Sequence, residues 1–351
     1  MIRKGKRLIS LLIMFIFATM LFTGCANIGQ SQQLKIGHVA KPGNLLLYLA
    51  NDLGYFEEEG IDAELRLFEN DEEGIAAVVS GEIDTGTFKS MPELLAIDAG
   101  EDLRIVGGGQ QNGYGIYTLE ENEREYDFLK NYRGKTIGTI KNSAEDVLTK
   151  AAISRLCLEE EIKVVEFNTI DENVEAIRNG VVDAGTFCTS DLDKSQREGL
   201  RFAVKSNELL EKHPSYTQIM KDSSLKDRRN LDLLVRFNRA TLKAYKHYLE
   251  NPEETVNIIL NYVDSDRDML MGDIYDENKE FFLEYFWPNP NPIRAYNWKF
   301  LEDLELLGYL KSDKDILNDY AHDPSYVEAM NQLADETADP VYIELKSIHV
   351  C

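Results

Sequence analysis

One eight-residue pattern occurs twice in the chain. Gly81 to Phe88 reads Gly-Glu-Ile-Asp-Thr-Gly-Thr-Phe, and Gly180 to Phe187 reads Gly-Val-Val-Asp-Ala-Gly-Thr-Phe, identical at five of eight positions. Two further pairs fall in the same order around it: Ile36-Gly37 with Ile137-Gly138, and Glu57–Glu59 with Glu159–Glu161. In each copy the surrounding residues alternate between strand and helix patterns in the order β-α-β-α-β, which implies a parallel sheet with right-handed crossovers. A chain of 351 residues is long enough for about two domains, each with its own core. The repeat therefore predicts two similar α/β lobes.

The first copy is the more readable. Leu34 to Val39 is a short strand broken by Pro42-Gly43-Asn44, and Asn44 can cap a helix carrying Leu45, Leu46, Tyr48 and Leu49. A half-buried strand follows at Ile61 to Leu67, then a helix from Asp71 to Ser80, then a strand from Ile83 to Gly86. Between the copies, Gly107-Gly108-Gly109 fits neither G-x-G-x-x-G nor G-x-x-x-x-G-K-[ST], and strand-like Ile116-Tyr117-Thr118 follows where a phosphate cradle needs a helix. The glycines suit a hinge instead. A return crossing fits Leu200 to Lys205, and from about Ser206 the strand pattern gives way to amphipathic helices. The expected division is 34–108 and 206–351 for the first lobe with its C-terminal helices, 114–200 for the second, and 109–113 and 201–205 for the hinge crossings.

The amino terminus is a leader. Arg3, Lys4, Lys6 and Arg7 precede an apolar run from Leu8 to Phe22, too short for a permanent span of about 20 residues. Leu21-Phe22-Thr23-Gly24-Cys25 resembles a bacterial lipobox, with Phe22 where Leu is usual. Residues 1–24 are read as a lipoprotein signal peptide, Cys25 as the lipid attachment site and 25–33 as a tether, which places the folded part on the extracytoplasmic face of the cell membrane. With Cys25 lipidated, Cys157, Cys188 and Cys351 cannot all pair within one chain. The five histidines show no metal-ligand spacing, so neither metal nor other cofactor is expected. A formal charge of −24 excludes a nucleic-acid backbone as partner. A monomer is expected.

Ligands of open parallel sheets sit beyond the carboxyl ends of the strands, and two hinged lobes set those ends face to face. The loops there supply Lys41 and Asn44 after the first strand and Thr87, Phe88, Lys89 and Ser90 after the third. Gln110 and Asn112 come from the hinge, Asn142 and Ser143 from the first loop of the second copy, and Thr186 and Phe187 from its last strand. These are the candidate ligand-binding residues. Ser143 can equally cap its helix through Asp146, and Phe88 and Phe187 either sandwich a planar solute or fill the cores. No nucleophile–base pair or carboxylate dyad stands among them, so no catalytic residue and no enzymatic activity are expected.

At these residues a family resemblance emerges. The segments 45–68, Gly81 to Gly86, Tyr132 to Gly138 and Gly180 to Ala184 resemble, in order, the sulfonate/taurine/nitrate/thiamine-pyrimidine group of ABC-importer solute-binding proteins. The resemblance spans roughly 34–260 and implies a type II periplasmic-binding-protein fold that closes over a small solute and docks on a membrane permease. It also implies a solute of the sulfonate, taurine or nitrate kind, with a pyrimidine, or a sensor or enzyme on the same fold, as the alternative. Gly86 to Pro92 is similar to the family's ligand loop, and Lys141-Asn142-Ser143 to its Lys-Gly-Ser loop with Asn142 in place of Gly.

Overall fold

The computed structural model describes residues 31–122, 126, 128–210, 212–275, 286–292, 294–312 and 320–349. The leader, Cys25, most of the tether and Cys351 lie outside the described residues.

The repeated sequence forms the same three-stranded parallel unit twice. In the first, β1 (Gln32–His38) lies between β2 (Ile61–Leu67) and β3 (Thr85–Lys89). In the second, β6 (Thr136–Ile140) lies between β7 (Lys163–Phe167) and β8 (Ala184–Cys188). Even the register repeats: Ile36 pairs Thr85 and Gly37 pairs Gly86, as Ile137 pairs Ala184 and Gly138 pairs Gly185. Crossover helices α1 (Leu45–Asp52) and α2 (Asp71–Ser80) serve the first unit, and α4 (Ala144–Arg155) and α5 (Ile170–Arg178) the second; α3 (Ser90–Asp98) follows β3. Three of these starts are fixed by local sequence. The Asn70, Ser143 and Thr169 side chains accept the backbone N–H groups of Glu73, Asp146 and Glu172.

Antiparallel strands complete both sheets, which are mixed and not purely parallel. The first is six-stranded, β11-β4-β10-β3-β1-β2, with β4 (Arg104–Asn112), β10 (Pro214–Met220) and β11 (Phe286–Pro288). The second is five-stranded, β7-β6-β8-β5-β9, with β5 (Tyr114–Leu119) and β9 (Leu200–Lys205). Strand β10 departs from the expectation that strands end near Ser206. All seven of its residues are buried, and it runs between β3 and β4, so the polar/apolar alternation of a one-sided strand is missing. The chain passes between sheets at Gly113, where φ is 89°, and across 206–213. Of the expected crossings 109–113 and 201–205, Gly113 lies at a passage, and 109–112 and 201–205 are strand.

The helical block rests on the first sheet through α6 (Arg228–Glu250), whose Leu233, Phe237, Ala240 and Tyr248 pack with Leu45 to Leu49 of α1. Its other face, with Val235 and Leu242, meets Tyr326, Met330 and Leu333 of α10 (Pro324–Thr337). Between them lie α7 (Pro252–Ile259), α8 (Arg267–Ile274) and α9 (Arg294–Leu306), and α11 (Pro340–His349) ends the chain's described part. The block does not stay with the first sheet alone. Asp303 of α9 pairs with Arg155 of α4, and the Tyr309 hydroxyl donates to Asp146 of α4 at 2.9 Å. Two residues further on, the N–H groups of Lys311 and Ser312 donate to Asp98 of α3 at 2.8 and 3.0 Å. This segment thus binds both halves of the molecule. None of the described helices is long and apolar enough to cross a membrane.

Candidate functional site

The carboxyl ends of β1, β3 and β8 converge on one ion cluster. Lys41 follows β1, Lys89 ends β3, and Asp191 lies just past β8 on a tight turn, Thr189–Asp191. The Lys41 Nζ stands 2.8 Å from Asp191 Oδ1 and the Lys89 Nζ 2.7 Å from Asp191 Oδ2. Two cations from the first sheet therefore share one carboxylate from the second. The Asp191 side chain is only 9% exposed, against 26% for Lys89 and 38% for Lys41. Burial alone would raise the Asp191 pKa, but the two ammonium groups outweigh it and hold the carboxyl well below the usual range. Burial likewise opposes the charge on Lys89, and Asp191 more than compensates, lifting its pKa well above the ordinary value.

Further polar groups surround the pair. The Lys89 N–H donates to Asp71 at 3.0 Å, and burial raises the Asp71 pKa against the pull of Lys89. Glu145, in the first turn of α4, is buried, and its carboxyl is also pushed up by burial and drawn back by Lys89. Cys188 occupies the position of Lys89 in the second copy of the repeat and faces it; burial pushes its thiol up to about 12. Tyr114 and Tyr216 come in from β5 and β10, their phenols kept protonated by burial. Ser215 donates to the Tyr114 hydroxyl at 3.2 Å, while Tyr216 Oη and Gln110 Oε1 are buried without a hydrogen-bond partner among the described residues. Beside the cluster opens a cavity of about 380 Å³, bounded by Lys41, Asp191, Ser190, Arg197 and α8. Arg197 forks onto Asp273 of α8 with both contacts at 2.7 Å.

The candidate residues divide sharply. Lys41 and Lys89 enter the cluster, and Gln110 points a free oxygen into the buried interior. Thr87 is buried on β3, and Ser90 accepts a hydrogen bond from Thr217. Asn44 donates to the Val39 carbonyl at 3.0 Å, and Asn112 accepts from the His213 N–H at 3.4 Å. Phe88 and Phe187 are fully buried in apolar clusters, the core-filling alternative of the two expected for them. Thr186 is buried with its hydroxyl 2.9 Å from that of Thr149. Ser143 caps α4 by accepting the Asp146 N–H at 3.2 Å. Asn142 is exposed with φ of 59°, a left-handed position that Gly and Asn tolerate better than other residues, so the loop keeps the backbone shape a glycine would give. Accordingly, Asn142→Gly should leave the urea midpoint unchanged, while Asn142→Ala should lower stability by about 1 kcal/mol.

Asp191, Glu145, Cys188, Tyr114 and Tyr216 were not among the candidates. For Cys188 a signal exists in the sequence: the offset of 99 that aligns the two Phe residues also aligns Cys188 with Lys89. Asp191 has no counterpart cation or anion in the first copy, where Pro92 stands, and only the folded turn brings it to the lysines.

Two α/β sheets exchanging a strand each, with their strand ends facing across a polar seam, define a type II periplasmic-binding-protein fold. Solved structures agree on the fold. The periplasmic aliphatic sulphonate binding protein SsuA from Escherichia coli superposes with a TM-score of 0.66 at 16% identity, covering 82% of this chain and 97% of that one. The periplasmic nitrate-binding protein NrtA from Synechocystis PCC 6803 does so with 0.66 at 15% identity, covering 89% and 90%. Residues 41–255 match the family described as NMT1/THI5 like, and the chain belongs to that family. A formylaminopyrimidine-binding protein of Halalkalibacterium halodurans is 24% identical over 298 residues, which are 82% of this chain and 88% of that protein.

Proposed function

We propose that the chain is the extracytoplasmic solute-binding component of an ABC importer, anchored by lipid on Cys25, that closes two lobes over a small organic solute and hands it to a permease. The observation that carries this reading is the seam itself, where Lys41 and Lys89 of one sheet meet Asp191 of the other beside a cavity of small-molecule size. Contacts shared across such a seam exist only when the lobes are together, so a solute that bridges them favours closure. Family membership and the lipobox of the leader support the same role. Of the solutes named for similar proteins, a formylated aminopyrimidine suits this site better than a sulfonate or nitrate, because the lysines already have a carboxylate partner.

The test is a calorimetric and thermal-shift panel of formylaminopyrimidine, taurine, methanesulfonate and nitrate on the mature protein. A solute present at a hundredfold excess over its Kd should add about 2.7 kcal/mol of stability, a rise of a few degrees in Tm. Conversion of a bound solute to product in the same samples would replace the importer reading with an enzymatic one.

A further inference from the structure

We propose that Asp191 is the specificity-determining residue of the cleft: it serves as a built-in counter-anion to Lys41 and Lys89 and thereby closes the site to oxyanions such as nitrate and sulfonates, leaving it to uncharged solutes. The inference rests on the seam being the solute site.

Two ammonium groups would ordinarily make an anion site, and here three carboxyl groups surround them: Asp191 on both lysines, with Asp71 and Glu145 within electrostatic reach of Lys89. An entering sulfonate must either displace Asp191 from the lysines or remain without a cation in a buried seam, which is costly.

Displacement is opposed by rigidity. The turn bearing Asp191 is held from three sides: the Thr189 N–H donates to the Gly113 carbonyl at 2.8 Å, the Tyr117 hydroxyl donates to Thr189 Oγ1 at 3.0 Å, and the Arg197 guanidinium donates to the Thr189 carbonyl. A carboxylate tethered in this way confronts the lysines at an effective concentration on the order of millimolar or higher, so a weakly binding free anion at lower concentration cannot compete. An uncharged solute avoids that competition.

The experiment titrates nitrate and methanesulfonate, at constant ionic strength, into the wild type, Asp191→Asn and Asp191→Asn/Lys89→Met. The wild type should show no saturable binding of either anion. Asp191→Asn should gain it by about tenfold or more, the scale of a charge-assisted contact, and the added Lys89→Met should abolish the gain. An Asp191→Asn protein that is folded by circular dichroism yet gains no anion affinity overturns the proposal. If that variant does not fold, the wild type decides: saturable sub-millimolar anion binding that disappears in Lys41→Gln overturns it, and absence of saturable binding supports it. Because these probes are anions and not the natural solute, the result is independent of the formylaminopyrimidine titration, whose failure would bear on the choice of solute under the proposed function.

Discussion

Phe88→Ala should lower the unfolding free energy by about 3–5 kcal/mol, read as a fall in the urea midpoint with little change in slope. The ring is fully buried, and its place is made by three glycines. A Cβ on Gly74 would come within 2.1 Å of the ring, one on Gly86 within 2.3 Å and one on Gly37 within 2.9 Å. Backbone of β1, β3 and α2 therefore touches the ring directly, and its loss leaves a cavity that three main-chain segments cannot easily collapse to fill. The converse substitution, Gly86→Ala, forces the ring to move and should cost about 1–3 kcal/mol. Combined with Phe88→Ala, the added methyl should cost far less than it does alone, since its obstacle is gone. A loss below about 1 kcal/mol for Phe88→Ala would show that the ring does not fill this cup.

Lys89→Met should push the lobes apart. It leaves Asp191, nine-tenths buried, with a single half-exposed partner in Lys41. Removing one member of a buried pair costs about 3–5 kcal/mol because the remaining charge is stranded, and separation of the lobes lets water reach it. Small-angle scattering should record a larger radius of gyration and proteolysis a faster cut than in the wild type. Lys41→Met, which removes the more exposed and better screened ammonium, should cost under about 1 kcal/mol. The pH profile gives the sign independently. Asp191 is held below its unfolded pKa, so its contribution is complete above about pH 4 and is lost as the pH falls through the lower, folded value. Lys89→Met should therefore flatten the acid limb of the stability curve. Equal scattering profiles for wild type and Lys89→Met would sink the latch.

Much of this architecture was legible because it is written twice. The Gly-x-x-Asp-x-Gly-Thr-Phe repeat located β3 and β8, and Ser143 with Asp146 marked the start of α4. What stayed hidden was non-local or buried on both faces. Strand β10 carries no alternation because helices cover it above and strands flank it on either side, and β9 reads like a connector because it lies at a sheet edge. The site was half legible: lysines at strand ends announce themselves, whereas Asp191 gains its meaning from a turn whose distance to Lys41, 150 residues away in the chain, no local pattern encodes. The two Phe residues stayed open between core and ligand face for a physical reason. An aromatic at a strand end suits a ligand face as well as a core, and only the surrounding glycines decide between them.

The segment around α9 changes what sort of machine this is. Two bodies joined by two strands can swing about a single axis, but Asp303 and Tyr309 grip α4 on one body while Asp98 on the other holds the chain two residues later. That third linkage is separate from the two strand passages, and in kinematic terms it restrains the freedom they leave. Wide opening must unfasten it first. The protein is better compared to a jaw with a check strap than to a free hinge.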